Sequence, residues 1–207
     1  MRVWHYLRVP PVYVDPAKVR EFVSFEAFFD WLRDNHDAAD EVWIKVHKVG
    51  SGLPSITPKE AIDAALCWGW IDGVRKGYDD KSFLQRYTPR RPKSVWSHIN
   101  VENVERLVAA GLMTEHGLRH VEAAKADGRW ERAYAGSRDM ALPDDLLEAI
   151  RADPRAQATF ERLSAQNRYA LGYRLHRLKT EAARRRKIAE FVAMLARGEA
   201  IYPQKGL

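Results

Sequence analysis

The hydrophobic period changes once along this chain, and that change limits the folds open to it. From Glu41 to Lys48, Val42, Ile44 and Val46 alternate with Trp43, Lys45 and His47, the period of two that marks a strand. Past Pro143 the pattern is helical: Ile188, Phe191, Val192 and Leu195, for example, fall on one side of a helix. A chain that begins with mixed periods and ends with one belongs to the α+β class. The expectation is a small, mainly antiparallel sheet covered by helices, followed by an all-helical C-terminal module.

Local signals place the elements. Pro10 and Pro11 forbid a helix near the start and predict an extended or edge segment. Ser24 caps a helix to about Asn35, with Phe25, Phe28, Phe29, Trp31 and Leu32 on a wide apolar face. Thr57-Pro58-Lys59-Glu60 combines a cap, a proline at the first helical position and a capping box, and Gly69 ends that helix. Ile71–Lys76 and Ser82–Thr88 read as strands around a turn at Gly77–Asp80. Asn100 reads as the cap of a helix closed by Gly111, and a further helix covers Glu115–Ala126. Residues 129–142 are irregular and divide a mixed portion, 1–130, from a helical module, 143–200. Within that module Pro143, Asp153-Pro154, Ser164 and Thr180 each open a helix.

Charge separates along the same line. Residues 164–207 hold ten Lys/Arg and three Asp/Glu, a net +7, which leaves −1 for residues 1–163. The run Arg184-Arg185-Arg186-Lys187 wraps around its helix and forms no single stripe, so a solvated face explains it; nucleic acid is the less favoured partner. No apolar run reaches the roughly 20 residues needed to span a bilayer, and a lone Cys67 fits the reducing cytoplasm. No phosphate-loop glycines, dinucleotide fingerprint or nucleophile elbow occurs, so no cofactor is implied and no reaction is legible. His116 and His120, four apart on a helix, offer two metal ligands, but Gly117 stands where the zinc-protease motif needs glutamate and no third ligand follows from spacing.

Three segments carry a resemblance. Leu66-Cys67-Trp68-Gly69-Trp70-Ile71-Asp72-Gly73, Tyr87-Thr88-Pro89-Arg90-Arg91-Pro92-Lys93-Ser94-Val95-Trp96-Ser97-His98-Ile99-Asn100 and Asp127-Gly128-Arg129-Trp130 resemble signatures of the bacteriocin-protection, YdeI/OmpD-associated family. The closing helices, around Thr180–Ile188, resemble its helical module less closely, with Arg177-Leu178-Lys179 in place of the usual Ala-Lys pair. The resemblance implies a bacterial stress-resistance context and supplies no chemistry.

The segment from Trp68 to Asn100 concentrates unusual residues. Arg86, Arg90 and Arg91 offer forked donors suited to an anion, and prolines stiffen their loop. Trp70 and Trp96 offer flat walls, Ser97 and Asn100 donors at a helix start, and Asp72 a group to orient an arginine or exchange a proton, the best catalytic candidate. Lys45 lines the same site if its strand faces the arginine loop. Together these predict a pocket for a small anionic or polar ligand. The bland alternative makes the tryptophans core, Ser97 and Asn100 caps, and Asp72 a local ion pair with Arg86 or Arg90.

Overall fold

A computed structural model of the chain describes residues 12–134, 141–176, 178 and 180–207. The Pro10-Pro11 segment, part of the irregular stretch at 135–140, and Arg177 and Lys179 lie outside the described residues. The described residues form two compact units. The first runs to Ser94 and includes Glu102–Trp130; the second comprises Val95–Val101 and the residues after Trp130.

The first unit contains β1 (Val19–Arg20), α1 (Phe25–Asn35), β2 (Val42–His47), α2 (Pro58–Cys67), β3 (Trp70–Gly77), β4 (Ser82–Pro89), most of α3 (His98–Ala109) and α4 (Glu115–Ala126). The four strands form one sheet in the order β1-β2-β4-β3. Both β2–β4 and β4–β3 are antiparallel, while β1 is parallel to β2 through Val19↔Trp43 and Arg20↔Ile44. The sheet is therefore mixed: mainly antiparallel, with a parallel edge too short to betray itself by periodicity.

Caps set the helix starts. Ser24 Oγ accepts from Ala27 N–H at 3.3 Å. At α2 both halves of the capping box form: Glu60 N–H donates to Thr57 Oγ1 at 3.2 Å, and Thr57 N–H to Glu60 Oε2 at 2.8 Å. The start of α3 corrects the sequence reading. That helix begins two residues before Asn100, and its cap is Ser97, whose Oγ accepts from Asn100 N–H at 3.2 Å. Serine and asparagine are comparable caps, and the sequence pattern alone picked the wrong one.

The core of the first unit joins Phe28 and Leu32 of α1, Ala61, Ala64 and Ala65 of α2, and Val42, Ile44, Val46, Trp70 and Tyr87 of the sheet. The opposite sheet face is also dry at its centre, since Trp43 is 0% exposed and Leu84 3%. It is not the plain solvent face that alternation alone suggests.

The second unit holds α5 (Asp144–Arg151), α6 (Pro154–Glu161), α7 (Ala165–His176) and α8 (Glu181–Ala196). Leu146, Ile150, Leu171, Leu175 and Leu195, each 0% exposed, form its centre with Ile188 and Phe191. Buried Asn167 holds the residues after α8: its Oδ1 accepts from Tyr202 N–H at 2.8 Å, and its Nδ2 donates to Tyr202 O at 3.2 Å.

Candidate functional site

A β-bulge in β3 assembles the cluster around Asp72. Asp72 pairs with Tyr87, but the next matched pair is Arg75 with Gln85, so Gly73 and Val74 together face Arg86. One extra residue inverts the alternation of side chains beyond it. Without the bulge, Asp72 and Arg75 would point to opposite faces; with it they share the face of Tyr87, Gln85, Val42 and Ile44. Gln85, 5% exposed, braces the distortion. Its amide nitrogen, Nε2, donates to Gly73 O at 2.9 Å, and its Oε1 accepts from Arg75 Nε at 3.0 Å. Arg75 also lies over the Phe83 ring, 4.2 Å from its centroid.

Asp72 is reached by solvent, yet protein surrounds its carboxyl closely enough that desolvation raises its pKa above the usual carboxylate range. A backbone hydrogen bond and the charges of Arg90 and Arg75 oppose that rise without cancelling it. Asp72 forms no salt bridge with another described residue. Burial, and then the Asp72 charge, push the Tyr87 phenol up as well. A carboxyl held toward its protonated form and open to water can donate or receive a proton.

The remaining predicted residues separate. Arg90 is 3% exposed; its N–H donates to Gly69 O at 2.9 Å, and its charge acts on Asp72 and on His120. Arg91 is exposed. Arg86 stands on the other sheet face, where its Nε donates to Glu41 Oε2 at 2.6 Å. It is Glu41 that pairs with Arg86, not Asp72. Lys45 shares that face and is held by Glu21 at 2.9 Å, as is His47 at 3.0 Å. Trp70 is 1% exposed and meets Trp31 edge-on, so it is a core residue with no open face for stacking. Trp96, Ser97 and Asn100 belong to the second unit. There Trp96 is 2% exposed, its carbonyl accepts from Tyr134 N–H at 2.9 Å, and Ser97 serves as the α3 cap.

Sequence reasoning named Asp72 but missed Arg75, Tyr87 and Gln85. The one available signal was Gly73 inside a strand, which often marks a bulge. Two of the resembling segments also meet. Arg129, gripped by Asp127 at 2.7 Å, donates through Nη1 to Ser94 O at 2.8 Å and so pins the end of the Arg91–Ser94 turn. Cys67 is buried and its thiol is pushed up to about 12, chiefly by desolvation, which makes it inert as a nucleophile.

In the second unit, a groove of about 640 Å³ is lined by Ala149, Ile188 and Val192 together with Arg155, Arg185 and Arg197. The basic run is divided among tasks: Arg184 grips Asp145 at 2.7 Å, Lys187 pairs with Glu190, and Arg185 lines the groove. No described helix is long and apolar enough to cross a membrane.

Residues 20–120 match a domain of unknown function (DUF8412). That segment contains the first motif and the whole of the second, while Asp127–Trp130 lies between the two matches. No curated protein and no solved structure matches the chain. The helical segment, whose resemblance by motif was the weaker, is where the family model matches: residues 139–198 are similar to the bacteriocin-protection, YdeI or OmpD-associated family.

Proposed function

We propose that the protein is a cytoplasmic stress-resistance factor of the bacteriocin-protection type, and that its first unit binds a small anionic or polar ligand beside Asp72. The observation that carries this reading is a desolvated, solvent-reachable carboxyl without an ion pair among the described residues, set on one sheet face with Arg75 and Tyr87. Arg75 and Arg90 make the surroundings cationic, which suits an anionic ligand. In its protonated form, which burial favours, Asp72 would offer that ligand a hydrogen-bond donor. Arg91 lies on the exposed turn after β4 and serves as an accessory cation.

A thermal-shift screen of the full chain against nucleotides, sugar phosphates and small carboxylates tests it. A ligand at 100 times its Kd adds about 2.7 kcal/mol of stability. Asp72→Ala and Arg75→Ala are expected to weaken the hit at least tenfold while leaving the fold intact. A hit indifferent to both substitutions, or no hit at all, ends this reading.

The groove favours a second reading, in which the helical unit docks an acidic amphipathic segment of a protein partner. Ala149, Ile188 and Val192 suit its apolar side, and Arg155, Arg185 and Arg197 its carboxylates. Arg185→Glu combined with Arg197→Glu should abolish binding of an acidic amphipathic peptide and leave the Asp72 ligand unaffected.

A further inference from the structure

Three helix ends converge beside Trp68. The first is the C-terminus of α1, whose cap residue is His36, followed by Asp37. The second is the C-terminus of α2, capped by Trp68. The third is the start of α4, which carries His116. Gly117 allows the approach: a Cβ there would lie 2.4 Å from Cys67 O and 2.8 Å from Leu66 O. Thr114 completes the joint, its Oγ1 donating to Cys67 O at 2.6 Å. Thus the glycine that spoils a zinc-protease pattern in the sequence is the residue that brings His116 against α1 and Trp68. His36 packs on the Trp68 indole with centroids 4.6 Å apart, and on the His116 ring at 4.0 Å.

His36 Nε2 lies 3.1 Å from His116 Nδ1 and 3.2 Å from His116 Nε2. It is also 3.2 Å from Asp37 Oδ2, and His116 Nδ1 is 4.0 Å from Asp37 Oδ1. One donor atom from each residue falls within 4.8 Å of the others. Tetrahedral coordination with bonds of about 2.0–2.1 Å separates ligand atoms by about 3.3–3.4 Å; the spacings from His36 are close to this, and the His116–Asp37 spacing must contract when an ion binds. The His36 ring is already oriented for the task. Its Nδ1 is 3.0 Å from Leu32 O, so the proton sits there and the Nε2 lone pair faces its neighbours. A backbone carbonyl on the far nitrogen is the usual support of a metal-bound histidine.

We infer that His36, Asp37 and His116 form a binding site for a divalent transition-metal ion such as Zn²⁺. Two imidazoles and one carboxylate match borderline cations and leave a coordination position for water or a ligand. Asp37 and His116 keep solvent access, with 79% and 33% of their side chains exposed, which gives an ion its route in. Arg119 opposes the ion, since its Nη2 is 2.5 Å from His116 Nδ1 and it brings a positive charge. It must withdraw, either to yield Nδ1 to the ion or to let Nδ1 carry the proton when the ion takes Nε2. His120 does not join the set; its ring is turned onto Gly69, where an added Cβ would lie 2.4 Å from His120 Cδ2.

Calorimetric titration of the metal-stripped full chain with Zn²⁺, and visible absorption with Co²⁺, test the assignment. One saturable site is expected. His36→Asn and His116→Asn should each weaken it at least tenfold and lose the Co²⁺ band, while His98→Asn changes nothing. Arg119→Ala should tighten binding several-fold, an effect that a hydrogen-bonded histidine pair of purely structural value would not produce. If the histidine variants fail to fold, Asp37→Asn decides, since its side chain is largely exposed and its loss should still weaken binding. The absence of a saturable site in the native chain, or wild-type affinity in these ligand variants, overturns the assignment.

Discussion

The two units differ in what they bury. The helical unit encloses leucine, isoleucine and phenylalanine, with Thr159 and Asn167 as its buried polar residues among those described. The sheet unit encloses Asp63, Ser82, Gln85 and Arg90 as well as its apolar core. Buried polar groups are costly unless satisfied, so each constrains its neighbours. Asp63, for instance, is held by Arg106 at 2.6 Å. The lesson is a division of labour: one unit is stabilised mainly by apolar packing, whereas the other accepts desolvated charge and a distorted strand, and gathers titratable groups as a result.

The largest expected effect tests the packing side of that contrast. Leu171→Ala, at a position with no exposure, should cost about 2–5 kcal/mol. Every tryptophan in the sequence lies at or before Trp130. Among the described residues only Trp96 of the tryptophans belongs to the second unit, so in a Trp96→Phe background loss of helical circular dichroism should precede the fluorescence transition if the units unfold separately; coincident transitions would show that they unfold as one. Next comes Gly117→Ala. The added methyl meets two backbone carbonyls, and overpacking of this kind costs about 1–3 kcal/mol. Urea denaturation followed by fluorescence should show the loss, together with displaced His36 and His116 resonances; an unchanged midpoint would mean that α4 yields easily.

The smallest effect is one of sign. The folded pKa of Asp72 is raised, so the folded chain binds its proton more tightly than the unfolded chain does. Stability contributed by Asp72 is present at acid pH and is lost as pH rises from the ordinary carboxylate range through the raised value. The advantage of Asp72→Asn over wild type should then grow across that window. Asp145 is the converse: Arg184 lowers its pKa, so its contribution is present above the ordinary range and fades as pH falls. Asp145→Asn should lose less than about 1 kcal/mol at neutral pH, and less still in acid. Denaturation midpoints over a pH series would reveal either sign reversed.

Most of the fold was legible in the chain because it rests on local signals. Alternation at Val42–Val46, the capping box at Thr57–Glu60 and the glycine at 69 each fix an element without help from distant residues. β1 was not legible, since two residues display no period and its partner lies more than twenty positions away. The candidate site was half legible. Asp72 stands out beside glycine and tryptophan, but its companions depend on the bulge, and a single inserted residue decides which face Arg75 occupies. Treating the strand as regular also left the separation of Arg86 from Asp72 hidden, though it follows from the pairing of Arg86 with Trp43. His36 and His116 are eighty positions apart, and nothing local links them.

Both margins of the sheet bear on how the protein behaves in a crowded solution. One is a strand of two residues, and the other carries Arg75 and Lys76 beside its bulge. A brief strand gives an incoming chain little backbone to zip onto, and a kinked, charged one repels it. The irregularity that brings Arg75 alongside Asp72 thereby also guards the protein against growing into a larger sheet with its own copies.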